Sequence, residues 1–135
     1  MTELVYTLVQ AVHNYGALAV VASPAVALAF RGHGGALERR LAWTLLVAWG
    51  LQAATGAGFA AASYSLKGQL PEVTGVALYS LGVKLAATVA GCALAALLLW
   101  ARRLSSPRSR TVAWAACLGL AVVALTAAAP LRWYL

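Results

Sequence analysis

The chain has 135 residues, 63% of them hydrophobic and only 10% charged, with a net charge of +7. A soluble domain carries roughly a quarter charged residues, so soluble globular, disordered and disulfide-framework classes are excluded, and with them a nucleic-acid-binding face on a water-soluble fold. The length suits one membrane domain, residues 1–135, of about four spans with short connections.

Span one is expected over about Leu4–Phe30. No basic segment precedes it and Glu3 is the only charged side chain ahead of it, so a retained span is expected rather than a cleaved signal. Pro24 lacks an amide hydrogen and would free the carbonyl of Val20, which predicts a kink. A first loop, Arg31–Arg40, holds Arg31, Arg39 and Arg40 against Glu38, together with His33. Span two follows over about Leu41–Ala62, and a second loop, Ser63–Glu72, holds only Lys67 and Glu72. Span three runs over about Val73–Ala101. A third loop, Arg102–Arg110, holds Arg102, Arg103, Arg108 and Arg110 with no acid, and span four occupies about Thr111–Leu131.

Each span reaches the roughly 20 residues that cross about 30 Å of hydrocarbon. Spans one and three exceed that need and are expected to tilt or protrude. Barrel strands would be about half as long and would alternate in polarity, which these segments do not. The fold class is therefore all-α integral membrane, a bundle of four transmembrane helices. Excess arginine in loops one and three places them in the cytoplasm of a bacterial inner membrane, with both termini outside. Trp43, Trp100 and Trp114 are expected at the inner interface, Trp133 and Tyr134 at the outer one. Cys92 and Cys117 lie in apolar segments outside any ligand motif and read as small apolar filler.

His13 and Lys84 are the only strongly ionisable side chains inside the spans. Such a group costs about 2.5 kcal/mol or more at the centre of a bilayer, so it usually marks a functional site. His13 lies eighteen residues before Arg31, and Lys84 eighteen before Arg102. The two spans run in the same direction, so both side chains sit about 27 Å from the cytoplasmic arginines, near the outer edge of the hydrocarbon. Gly58, eighteen residues after Arg40, reaches that level on span two.

Gln10, His13 and Asn14 share one side of span one, with Tyr6 extending the stripe. Gln52 and Thr55 make a weaker polar pair that counting places deeper. Gly75, Tyr79, Gly82 and Ala86 share a face of span three, and Gly56 and Gly58 stand together on span two. These small residues either let helices pack closely or leave room for a flat cofactor.

An imidazole at this depth suits a haem iron. His33 lies in a loop at the opposite side, so a haem on His13 would be five-coordinate, take Lys84 as sixth ligand, or be shared across a dimer. Lys84 could otherwise pair with a haem propionate or a quinone oxygen. The structural alternatives are an interhelical hydrogen bond for His13 and snorkelling for Lys84. A non-haem metal is disfavoured, because the membrane segments offer a single histidine and no carboxylate.

The motifs Val12-His13-Asn14-Tyr15-Gly16, Arg39-Arg40-Leu41 with Thr55-Gly56, and Val83-Lys84-Leu85 resemble those of the HemJ-type and CopD-like group of small bacterial membrane proteins. In HemJ-type proteins the histidine and lysine are associated with haem b and protoporphyrinogen oxidation, so the resemblance implies that His13 and Lys84 serve a haem site. Two positions depart from it. Ser105–Arg110 replaces an Asn-Glu motif, and Ser80 stands where a tryptophan precedes the lysine by one turn. Three functions follow as expectations. The first is a b-type haem protein that transfers electrons to or from quinone or a larger respiratory complex. In that site His13 and Lys84 serve as metal ligands, and Gln10, Asn14, Gly56, Gly58, Tyr79 and Gly82 line the cofactor. The second is a protoporphyrinogen oxidase, and the third a non-catalytic accessory subunit. A homodimer or membership of a larger membrane complex is expected in each case. Proton-coupled export is disfavoured, because Glu3, Glu38 and Glu72 lie at or beyond the interfaces.

Overall fold

A computed structural model describes residues 2–30, 35–69, 72–100 and 106–134. The expectations for Arg31, His33, Arg102 and Arg103, and for the side chains of Lys67, Trp133 and Tyr134, lie outside what is described. Four helices follow one another: α1 Thr2–Ala29, α2 Gly35–Lys67, α3 Val76–Trp100 and α4 Pro107–Tyr134. All four are long and apolar enough to cross a membrane, and no strand occurs among the described residues. At 1.5 Å per residue the helices of 28, 33, 25 and 28 residues measure about 42, 50, 38 and 42 Å. Each exceeds the hydrocarbon thickness of about 30 Å.

The helix ends differ from the expected spans for local reasons. α2 starts six residues before Leu41, so Glu38, Arg39 and Arg40 belong to its first turns rather than to a loop. It continues to Lys67 because nothing in Ser63–Lys67 breaks it, and it stops at Gly68. There φ is +67°, and the Gly68 amide donates to the carbonyl of Tyr64 at 2.9 Å. Gly75 turns the chain into α3 with φ +56°, so it precedes that helix instead of sharing its face. α4 starts at Pro107, preorganised for a first helical position. Ser106 caps it by accepting the Ser109 amide on Oγ at 3.2 Å. α1 runs unbroken through a fully buried Pro24.

α1 packs on α2, α2 on α3, α3 on α4, and α4 back on α1. This is a closed ring of neighbours joined by short connections, as in an up-and-down bundle. The core is built mostly of alanines (Ala27, Ala42, Ala48, Ala87, Ala95, Ala113, Ala121, Ala124), with Val20, Leu45, Leu98 and Cys117. Between apolar helices in lipid, association rests on close packing, which small side chains permit. Two tryptophans fill the remaining space. Trp49 lies against Gly91, where a Cβ would collide with the indole. Trp114 is also buried, so it faces the core rather than the lipid interface expected of it. Trp43 and Trp100 are exposed and meet edge to face at 5.5 Å.

One end of the bundle is tied across a diagonal. Arg110 Nε of α4 donates to Glu38 Oε1 of α2 at 2.6 Å, and Trp114 Nε1 donates to the same oxygen at 2.7 Å. Arg110 also reaches the carbonyl of Leu98 near the end of α3 at 3.5 Å. The starts of α2 and α4 and the end of α3 therefore lie together, which fixes the alternating directions of the helices.

Candidate functional site

The second diagonal, α1 to α3, is bridged far from the first. Lys84 Nζ lies 3.5 Å from His13 Nε2. Fourteen residues of α3 separate Lys84 from Leu98, about 21 Å of helix, so the two polar clusters occupy different depths. Lys84 stands on the inward face of α3 with Ala77, Ser80, Ala87, Thr88 and Gly91, residues spaced three or four apart.

α2 completes the site. His13 Nδ1 lies 2.7 Å from Thr55 Oγ1, and Thr55 Oγ1 donates to the carbonyl of Leu51 at 2.6 Å. A hydroxyl has one proton, and here the backbone takes it. With the hydroxyl proton so placed, Nδ1 carries the hydrogen and donates to Thr55, and Nε2 is the nitrogen that accepts from Lys84. Gln52 donates to the carbonyl of His13 at 2.6 Å. Gly16, one turn along α1, makes that approach possible, since a Cβ there would stand 2.8 Å from Gln52 Nε2. Phe59 closes the side toward the start of α1, edge-on to His13 at 5.9 Å and stacked with Tyr6 at 6.4 Å. Thr88 Oγ1 donates to the carbonyl of Lys84 at 2.8 Å.

His13 and Lys84 thus meet, at the level the residue count gave both. The interhelical hydrogen bond considered for His13 also exists, on Nδ1 to Thr55 of α2, and Nε2 faces Lys84 of α3. Gln52 and Thr55, counted as deeper, are first neighbours of His13. Gln10 and Asn14 lie on the exposed side of α1 and bond to each other, Nε2 to Oδ1 at 2.9 Å. Tyr79 is 80% exposed and Gly82 is exposed too, both on the outer face of α3 away from Lys84. Gly56 is exposed and Gly58 half-buried; a Cβ at Gly56, Gly58 or Gly82 would meet nothing within 4 Å. Thr55, Gln52, Phe59 and Gly16 are the site residues that spacing alone does not single out. The signal available for Thr55 was its position three residues from the level of His13.

Chemically the site is a pair of bases without an acid. The three glutamates of the chain fall elsewhere, Glu38 in the distant cluster and Glu3 and Glu72 near helix ends. Among the described residues, no three His, Cys, Asp or Glu side chains gather as a metal site would need. Lys84 offers amine hydrogens beyond the one directed at His13, with no further partner among the described residues.

The fold and this site define a multi-pass α-helical membrane protein with a basic pair enclosed by three of its four helices. Comparison with known proteins returns no matching family model, no similar curated protein and no similar solved structure.

Proposed function

We propose that the chain is a b-type haem-binding redox protein of the bacterial inner membrane, with both termini outside and electrons exchanged with quinone or a larger complex. The observation that carries this reading is the placement of His13 Nε2 beside Lys84 between the helices of an apolar bundle, with the other ring nitrogen held by Thr55. The donor set suits a haem iron: an imidazole whose second nitrogen is held by a hydroxyl, and a half-buried amine beside it. When bound, the haem would supply a one-electron couple.

The chain's own residues do the rest. Thr55 orients the imidazole and keeps its proton on Nδ1, and Gln52 holds the backbone of His13 in place. Phe59 and Tyr6 shield the ring from water on the outer side. Lys84 serves as second ligand or as the cation for a propionate or a quinone oxygen. The resemblance to HemJ-type proteins supports the same assignment of His13 and Lys84.

A reduced-minus-oxidised spectrum of protein purified from haem-replete cells tests the proposal. A Soret band is expected that His13→Ala abolishes and His33→Ala retains; colourless wild-type protein would refute haem binding. Thiol labelling of cysteines placed in residues 31–34 and 102–105 tests the orientation, with labelling from the cytoplasmic side expected.

A second reading, an accessory subunit, is favoured by the polar Gln10–Asn14 pair and by Tyr79, which stand on outward faces where lipid solvates polar groups poorly. Co-purification at fixed stoichiometry with a larger complex, and without a cofactor of its own, would select it.

A further inference from the structure

A groove of about 500 Å³ runs between α3 and the start of α4. Its mouth carries Arg108 and Ser109, and its walls are Leu94, Val112, Ala113 and Ala116. It therefore changes character along its length. Arg108 borders it near the start of α4, and the apolar lining continues to Ala116, eight positions further on, about 12 Å of helix. Arg108 is exposed and has no hydrogen-bond or ion-pair partner among the described residues. The serine hydroxyls at the mouth are occupied with each other, Ser106 Oγ to Ser109 Oγ at 2.7 Å. Arg108 is thus the free donor there. Arg110 is paired with Glu38, so Arg108 is the unpaired charge bordering the groove among the described residues, and it repels a cationic headgroup and attracts an anionic one.

The geometry points to an anionic phospholipid as the occupant, its phosphodiester on Arg108 and the upper part of one acyl chain in the groove between α3 and α4. Polarity order and charge both match that ligand. A free anion would use the arginine and leave the apolar walls uncovered. The inference is independent of the haem site, which lies toward the other end of the bundle.

The test uses the full chain in nanodiscs of equal parts phosphatidylglycerol and phosphatidylcholine. The protein is transferred to mild detergent, and retained lipid is identified by native mass spectrometry. Phosphatidylglycerol is expected to be retained about fivefold over phosphatidylcholine, the effect of one arginine beside an anionic headgroup. Arg108→Gln should remove that preference. Ala116→Trp should remove the retained lipid; Ala116 is exposed, so the added indole occupies the groove and not the core. Arg39→Gln, an exposed arginine at the same end of the bundle, should change neither. The proposal is overturned by wild-type protein without a preference, by Arg39→Gln acting as strongly as Arg108→Gln, or by lipid retained in Ala116→Trp.

Discussion

Lys84 Nζ reaches His13 Nε2 at 3.5 Å across the α1–α3 diagonal, two helices that are not ring neighbours in the bundle. Two full positive charges at that separation would repel by about 5 kcal/mol at an effective dielectric constant of about 20. A neutral imidazole whose Nε2 accepts from Lys84 avoids that repulsion. In 15N-histidine-labelled protein carrying His33→Ala, the remaining imidazole should show its proton on Nδ1. Thr55→Val removes the acceptor for that proton, and the Nδ1–H signal should then weaken in favour of Nε2–H. An unchanged tautomer in Thr55→Val would show that Thr55 does not set it.

The same threonine governs ligand strength if a haem binds. Removing the residue that orients a metal-ligating histidine costs about 10- to 100-fold in affinity. Thr55→Val should weaken haem binding by that factor in an absorbance titration, whereas Thr44→Val, whose hydroxyl bonds only its own helix at Arg40, should leave it alone.

Glu38 is the shared acceptor of Arg110 and Trp114 at the opposite end, with both members of the ion pair 27% exposed. Hydrogen bonds to a charged group contribute about 1.5–3 kcal/mol, and partial exposure places this pair at the low end. Glu38→Gln should lower the detergent unfolding midpoint clearly. Trp114→Phe, which keeps the ring and loses one donor, should cost about 1 kcal/mol. Because both contacts use one oxygen, the double variant should fall short of the sum of the two losses.

Trp49 and Gly91 form a matched pair in the core. Gly91→Ala forces the buried indole to move and should destabilise by about 1–3 kcal/mol. Trp49→Leu in the same chain should recover part of that loss. Trp49 Nε1 is buried without an acceptor among the described residues, so Trp49→Phe should cost only the packing volume it removes, with no hydrogen bond lost, in thermal unfolding. Gly119→Ala, where the added methyl meets nothing, should gain up to about 1 kcal/mol.

A comparable argument applies to Gly16. Gly16→Ala would push Gln52 away from the His13 carbonyl, and interhelical hydrogen bonds in membranes average about 0.6 kcal/mol. A small drop in thermal midpoint, matched by Gln52→Leu and not increased in the double variant, is the expected pattern.

Position along the membrane normal was readable from the chain itself. Counting eighteen residues back from Arg31 and from Arg102 placed His13 and Lys84 at one level, and their side chains meet. Rotation about each helix axis was not readable. Tyr79 and Gly82 seemed as close to the site as Lys84 by count, yet they stand on the outer face of α3, while Ser80 and Thr88 face inward. The Glu38–Arg110–Trp114 cluster was equally hidden, because residues 72 and 76 positions apart meet only once α2 and α4 are packed.

The sequence by itself determined the number of spans, their helical character and the common level of His13 and Lys84. A bilayer of fixed thickness demands internally hydrogen-bonded segments of fixed length, and rise along a helix is linear in residue number. Only the tertiary structure decided which faces turn inward and which residues meet across the diagonals. A membrane helix is apolar on every side, so hydropathy carries little directional signal; the packing of small residues, Gly91 under Trp49 and Gly16 beside Gln52, sets the rotation instead.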